Sequence, residues 1–216
     1  MSVDLKSLQH DLYWFARKQR RRMIFLPIKY FRDYSFIHIN KTGGTSIERA
    51  LGMPVFHKPA VEYRRDIGLE RWNRRFSFAI VRNPWDRTVS QFHYRRQINW
   101  DGLGEDPVTF KEWAREVFVN RSDRYVDEDM LFLTQKDWIS DEHGEVIVDY
   151  VGKFENLQQA WDDICDRLGR ERSTLPHVKK SSRTDFRDYY DSETRKIVGD
   201  YFSADIELFG YTFDQC

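Results

Sequence analysis

The sequence has 216 residues, and its 35 Lys and Arg are balanced by 35 Asp and Glu, giving a formal charge of zero at neutral pH. That balance excludes the whole-molecule basic field of a general nucleic-acid binder, so any anion site has to be local. With 40% hydrophobic residues, seven Trp and sixteen Phe, the chain is no disordered segment, and its length suits one domain with a real core rather than two.

In chain order, Leu5, Leu8, Leu12 and Phe15 recur at three- and four-residue steps and predict an amphipathic N-terminal helix. Arg17, Lys18, Arg20, Arg21 and Arg22 follow, read as a solvated helix end, with peripheral contact at an anionic membrane as the alternative. The apolar run from Met23 to Ile28 is far shorter than the roughly 20 residues of a membrane span, so neither a signal peptide nor an anchor is expected. Cys165 and Cys216 have no metal-ligand or disulfide spacing, and a reducing, cytoplasmic location is the simpler expectation. The expected division is an N-terminal segment over 1–34 and one domain over 35–216.

Within that domain, 35–40 reads as a strand, 41–46 as a glycine turn and 47–51 as helix. The run 76–81 is a second strand, and Pro84 suits the first turn of the helix after it. Beyond a loop over 99–106, a helix is predicted for 108–118. Strand-like segments at 138–140 and 146–154 flank a turn at 141–144, and helices follow at 156–168, ending at Gly169, and at 191–202. Strands alternating with helices predict an α/β fold of three layers, a central mostly parallel sheet flanked by helices, with ligands beyond the carboxyl ends of its strands.

Two places on this outline suit anions. At 41–46 a strand ends and a helix begins, where backbone N–H groups lack intrahelical partners. Gly43 and Gly44 permit a tight turn, Thr42, Thr45 and Ser46 bring hydroxyls, and Lys41 brings a cation. The lysine precedes the glycines, so the G-x-x-x-x-G-K-[ST] order of nucleotide triphosphatases is absent, which disfavours a nucleotide kinase. At the end of the second strand stands Arg82, with Arg87 and Ser90 on the next helix. An Arg fork and a serine hydroxyl together suit a phosphate, whereas Arg87 reads as an ion-pairing brace.

The runs His38-Ile39-Asn40-Lys41-Thr42-Gly43-Gly44-Thr45-Ser46 and Val81-Arg82-Asn83-Pro84-Trp85-Asp86-Arg87-Thr88-Val89-Ser90-Gln91-Phe92 resemble the two motifs with which sulfotransferases bind 3′-phosphoadenosine 5′-phosphosulfate (PAPS). The second has the form R-x-P-x-x-R-x-x-S-x-F and matches each defined position. The resemblance extends from about Phe36 to Phe213, through Val151–Leu157 and Asp205–Tyr211, and is nearest to the carbohydrate branch, in a small soluble bacterial-type form. It implies a P-loop-like fold and sulfuryl transfer to a hydroxyl, on a saccharide or glycolipid, with Lys41 at the leaving oxygen.

It also implies a catalytic histidine between the motifs, which makes His57 the first candidate for the base, with Glu48 and Glu62 as alternatives and His93 facing an unknown direction. Lys58 is a candidate helper. The stretch Lys179–Arg183, with Arg187, Tyr189 and Tyr190, resembles the region that closes over the nucleotide, and a solvated loop is the competing reading. Trp72, Trp100 and Trp113 are read as core ahead of sugar-stacking platforms. The acidic run Asp127, Glu128 and Asp129 is read as solvated, and no metal is expected. A non-catalytic sensor of the bisphosphate product is the remaining alternative.

Overall fold

The computed structural model describes residues 19, 23, 26–126, 129–176 and 184–214. The predicted N-terminal amphipathic helix, the basic cluster, residues 127–128 and the 179–183 stretch lie outside these residues.

Three strands, β1 (Tyr34–Ile37), β2 (Phe76–Val81) and β3 (Tyr150–Lys153), form a sheet in the order β1-β2-β3. Both pairings are parallel, with Phe36 opposite Phe78 and Ile80 opposite Gly152. Between the strands run α1 (Gly44–Ala50), α2 (Ala60–Ile67), α3 (Leu69–Asn73), α4 (Pro84–Gln97), α5 (Phe110–Phe118) and α6 (Gln135–Ile139). After β3 come α7 (Leu157–Arg167), α8 (Ser192–Tyr201) and α9 (Ser203–Phe209).

Alternate residues of β1 and β2 face opposite sides, as the pleat requires. Ile37, Ala79 and Val81 pack on one side with Tyr63, Ile67 and Trp138 of α2 and α6. Phe36, Phe78 and Ile80 pack on the other with Ile47 of α1 and Trp161 and Ile164 of α7. The sheet is therefore covered on both faces, the α/β layering expected. A separate aromatic core, including Trp85, Phe92, Trp113 and Phe202, joins α4, α5 and α8.

Local chemistry explains most boundaries. Asn83 caps α4 by accepting the Trp85 N–H at 3.1 Å, and Pro84 occupies the first turn. Thr109 and Glu112 form a capping box that starts α5 two residues after the predicted position. Past α7, Gly169 takes φ 62°, and the Arg170 N–H returns to the Cys165 carbonyl at 2.9 Å.

Three expectations are corrected. The first strand stops at Ile37, because the Ile39 N–H turns back to the Ile37 carbonyl at 3.1 Å. The segment expected as a strand at 138–140 is the end of α6 followed by one antiparallel bridge, Ser140 to Val146. Helix α6 forms because Asp205, distant in sequence, accepts the N–H groups of Gln135 and Lys136, each at 2.8 Å. In the part described before 154, regular strand pairing after the turn is confined to Tyr150–Lys153.

Candidate active site

The turn after β1 is built by its own side chains. Lys41 has φ 66° and Gly43 φ 81°, both in the left-handed region, which lets the chain reverse direction before α1 begins at Gly44. Gly44 is needed for space: a Cβ there would lie 2.1 Å from His38 Cδ2. Thr42 is fully buried and its hydroxyl donates to the Ile39 carbonyl at 2.9 Å, so that hydroxyl closes the turn instead of facing a ligand. Thr45 and Ser46 are half-buried in the first turn of α1.

The second candidate motif meets the first directly. Arg82 Nη1 donates to the Lys41 carbonyl at 3.1 Å, and its Nε donates to Asp86 at 2.8 Å. Its guanidinium lies 4.0 Å from the centre of the Phe154 ring. The Arg82 backbone is pinned on both sides by Gln135, which accepts its N–H and donates to its carbonyl, both at 2.8 Å. Ser90 is half-buried on α4, one turn beyond Asp86 and one turn before Tyr94. Lys41 Nζ lies 4.1 Å from the centre of the Tyr94 ring. Ser90 thus stands on one helix face between the partner of Arg82 and the partner of Lys41.

Arg87 has a different place. It is buried, donates to the Asn40 carbonyl at 3.1 Å and to Asn40 Oδ1 at 2.7 Å, and reaches the Leu133 carbonyl at 3.2 Å. Burial pulls its pKa down to about 10, opposed by Asp205. It braces the end of β1 against α4.

Beside this cluster, His57 Nδ1 lies 2.8 Å from the His38 carbonyl. A carbonyl only accepts, so Nδ1 carries the proton and neutral His57 keeps its lone pair on Nε2. The His57 ring is 4.1 Å from that of His38 and edge-on to Trp138 at 6.4 Å. His38 and Glu48 are both buried, with His38 Nδ1 2.7 Å from Glu48 Oε1. Glu48 Oε1 also accepts the Phe56 N–H at 2.9 Å.

Glu48 is 1% exposed, so a substrate hydroxyl has no direct access to it, and its candidacy as base is set aside on that ground. Glu62 is half-buried in the first turn of α2. His93 packs edge-on against Tyr189 at 5.0 Å, and Lys58 pairs with Asp66. Arg187 pairs with Asp185, while the Tyr190 hydroxyl donates to the Trp85 carbonyl at 2.9 Å. Trp72 and Trp113 are core residues and Trp100 is half-buried beneath Arg95. Asp129 pairs with Arg121, and among the described residues no group of three or more His, Cys, Asp and Glu side chains suits a metal.

Burial sets opposite pKa shifts in the buried pair. Desolvation lifts Glu48 from 4.5 to about 7, and desolvation with the nearby Lys41 charge lowers His38 from 6.5 to about 3. Glu48 thus contributes stability that is complete below pH 4.5 and lost as pH rises through about 7, whereas His38 contributes stability present above 6.5 and lost as pH falls through about 3. Between pH 4.5 and 6.5 the two slopes oppose each other. Replacing Glu48 by Gln removes only the first, so the variant should gain on wild type by roughly 3 kcal/mol between pH 4.5 and 8. Urea unfolding of both proteins at the two pH values measures it, and a constant difference would contradict the raised Glu48 pKa.

The sequence alone did not single out Gln135, Phe154, Tyr94 or the His38–Glu48 pair. Tyr94 was legible as one helical turn past Ser90, but Gln135 carries no local signal, since it acts 53 residues away from Arg82. Two segments of the family resemblance prove to be braces: Glu155 accepts the Asn83 N–H at 2.7 Å and the Tyr211 hydroxyl at 3.1 Å, and Asp205 caps α6.

Comparison with known proteins places this geometry in a family. No curated protein matches the chain. The crystal structure of a sulfotransferase from Alicyclobacillus acidocaldarius is similar at a TM-score of 0.44 and 14% identity, over 84% of this chain and 97% of that one. Among the described residues no helix is long and apolar enough to cross a membrane. The family model described as "Sulfotransferase family" matches residues 31–212, which takes in β1, both candidate motifs and the closing helices, and the chain belongs to that family.

Proposed function

We propose that the protein transfers a sulfuryl group from PAPS to a hydroxyl on a saccharide or glycolipid by in-line displacement. The observation that carries this reading is the Arg82 Nη1 hydrogen bond to the Lys41 carbonyl, which joins two anion-binding motifs at the carboxyl end of adjacent parallel strands. One motif would hold each phosphate-bearing end of a bisphosphorylated adenosine.

The residues present suit that donor. The N–H groups of 42–45 and the hydroxyls of Thr45 and Ser46 bind the 5′-phosphosulfate end; Thr42 contributes backbone only, and the Ser46 N–H is held by the Gly43 carbonyl at 3.0 Å. Arg82 and Ser90 bind the 3′-phosphate, the guanidinium oriented by Asp86 and Phe154. His57 Nε2 accepts the proton of the attacking hydroxyl, because Nδ1 is committed to the His38 carbonyl. A bond forms between acceptor oxygen and sulfur as the bond from sulfur to the phosphate oxygen breaks. Lys41 then holds the negative charge left on that oxygen. The donor's contribution is a sulfuryl group on a good leaving phosphate; alignment, proton removal and charge neutralisation belong to the chain.

Calorimetry with adenosine 3′,5′-bisphosphate and with AMP tests the donor site. The 3′-phosphate contacts should give a preference of at least tenfold, equivalent to about 1.4 kcal/mol. Equal affinity would remove the two-ended site. Labelled PAPS incubated with saccharides, glycolipids and phenols then identifies the acceptor that gains mass.

A further inference from the structure

We infer that Glu48 is the positioning residue of His57, fixing the imidazole from behind and holding a negative charge at its back. The inference deepens the reading of His57 as proton acceptor and rests on it. Glu48 reaches the histidine from two sides. Its Oε1 accepts the N–H of Phe56, the residue before His57, at 2.9 Å. The same oxygen lies 2.7 Å from Nδ1 of His38, whose carbonyl holds His57 Nδ1 at 2.8 Å and whose ring packs against His57. Among the described residues His38 Nδ1 makes no hydrogen bond, so its approach to the carboxyl group is one of proximity and packing.

A purely structural role accounts poorly for an acid here. Glu48 is almost fully buried, and its Oε2 has no hydrogen-bond partner among the described residues. An ionisable group so placed costs stability, and Gln could accept the Phe56 N–H equally well. What Gln cannot supply is charge. When His57 takes a proton on Nε2 it becomes a cation, and the Glu48 carboxylate is the negative group in the buried layer behind it, attracted to it through space. Among the described residues the nearby charges are Lys41, which acts on the adjoining His38, and Lys58, next to His57 in the chain and ion-paired with Asp66 of α2. His38 is held neutral by its burial, and from α6 the packing group is the uncharged Trp138.

The test follows the His57 ring by proton–carbon NMR across pH, its signal among the six histidines assigned by loss in His57→Gln. In Glu48→Gln the His57 titration midpoint should fall by about one pH unit, because the protonated ring loses its nearby anion. Turnover at pH 8 should fall about tenfold, with affinity for adenosine 3′,5′-bisphosphate unchanged within about twofold. Glu48→Asp, which returns the charge on a shorter side chain, should bring the midpoint back toward wild type. An unmoved midpoint in Glu48→Gln overturns the positioning role. Full turnover in His57→Gln overturns the base assignment itself, a result separable from the first because the titration needs no substrate.

Discussion

Replacing Lys41 by Ala is expected to lower turnover by about 100- to 1000-fold while changing affinity for adenosine 3′,5′-bisphosphate by less than about threefold. The asymmetry comes from where the lysine's parts lie. Its backbone carbonyl, which the substitution retains, is the point where Arg82 joins the two motifs at 3.1 Å. The N–H groups of the following turn are also retained. What Ala removes is the ammonium group, positioned over the Tyr94 ring at 4.1 Å, whose charge in the proposed mechanism matters most when negative charge appears on the leaving phosphate oxygen. Lys41 has φ 66°, and Ala has the same steric objection to that region, so the turn gains no new strain. Steady-state kinetics with calorimetry on the same preparation separates the two effects. A loss confined to affinity would make Lys41 a ground-state contact, and full activity would remove its role.

This division of labour within one residue shows what a sequence can and cannot display. β2 was legible to its ends, because a six-residue run broken only by Ser77, five of its residues buried, reads as a strand covered on both faces and Asn83-Pro84 marks a helix start. The amphipathic α5 and α7 were legible within two residues. Helix α6 was misread as strand because its start is satisfied by Asp205, from the far end of the chain. Helix α2 has an apolar spacing at Ala60, Tyr63 and Ile67, but no side-chain cap marks its start after Pro59. At the site, spacing marked the two candidate motifs, which the fold brings together, but could not tell which hydroxyl faces inward, as Thr42 does, or that Glu48 is sealed beneath the turn. Burial is a property of the assembled layers, and single motif positions do not carry it.

Arg87 and Arg82 illustrate the same limit and yield the sharpest contrast in stability. Arg87→Ala should destabilise the protein by about 3–5 kcal/mol, lowering its melting temperature by roughly 10 °C. The guanidinium is buried and its lost hydrogen bonds would strand the carbonyls of Asn40 and Leu133 and the Asn40 side chain. Asp205, whose own pKa is raised by burial, would lose the cation that opposes its desolvation. Arg82→Ala removes a guanidinium paired with Asp86 at the mouth of the site, and Gln135 still pins the backbone there. That variant should remain folded while losing at least tenfold in bisphosphate affinity. Denaturant unfolding of the two variants beside calorimetry decides the assignment. If Arg87→Ala were as stable as wild type, the buried network would not be what holds the end of β1 to α4.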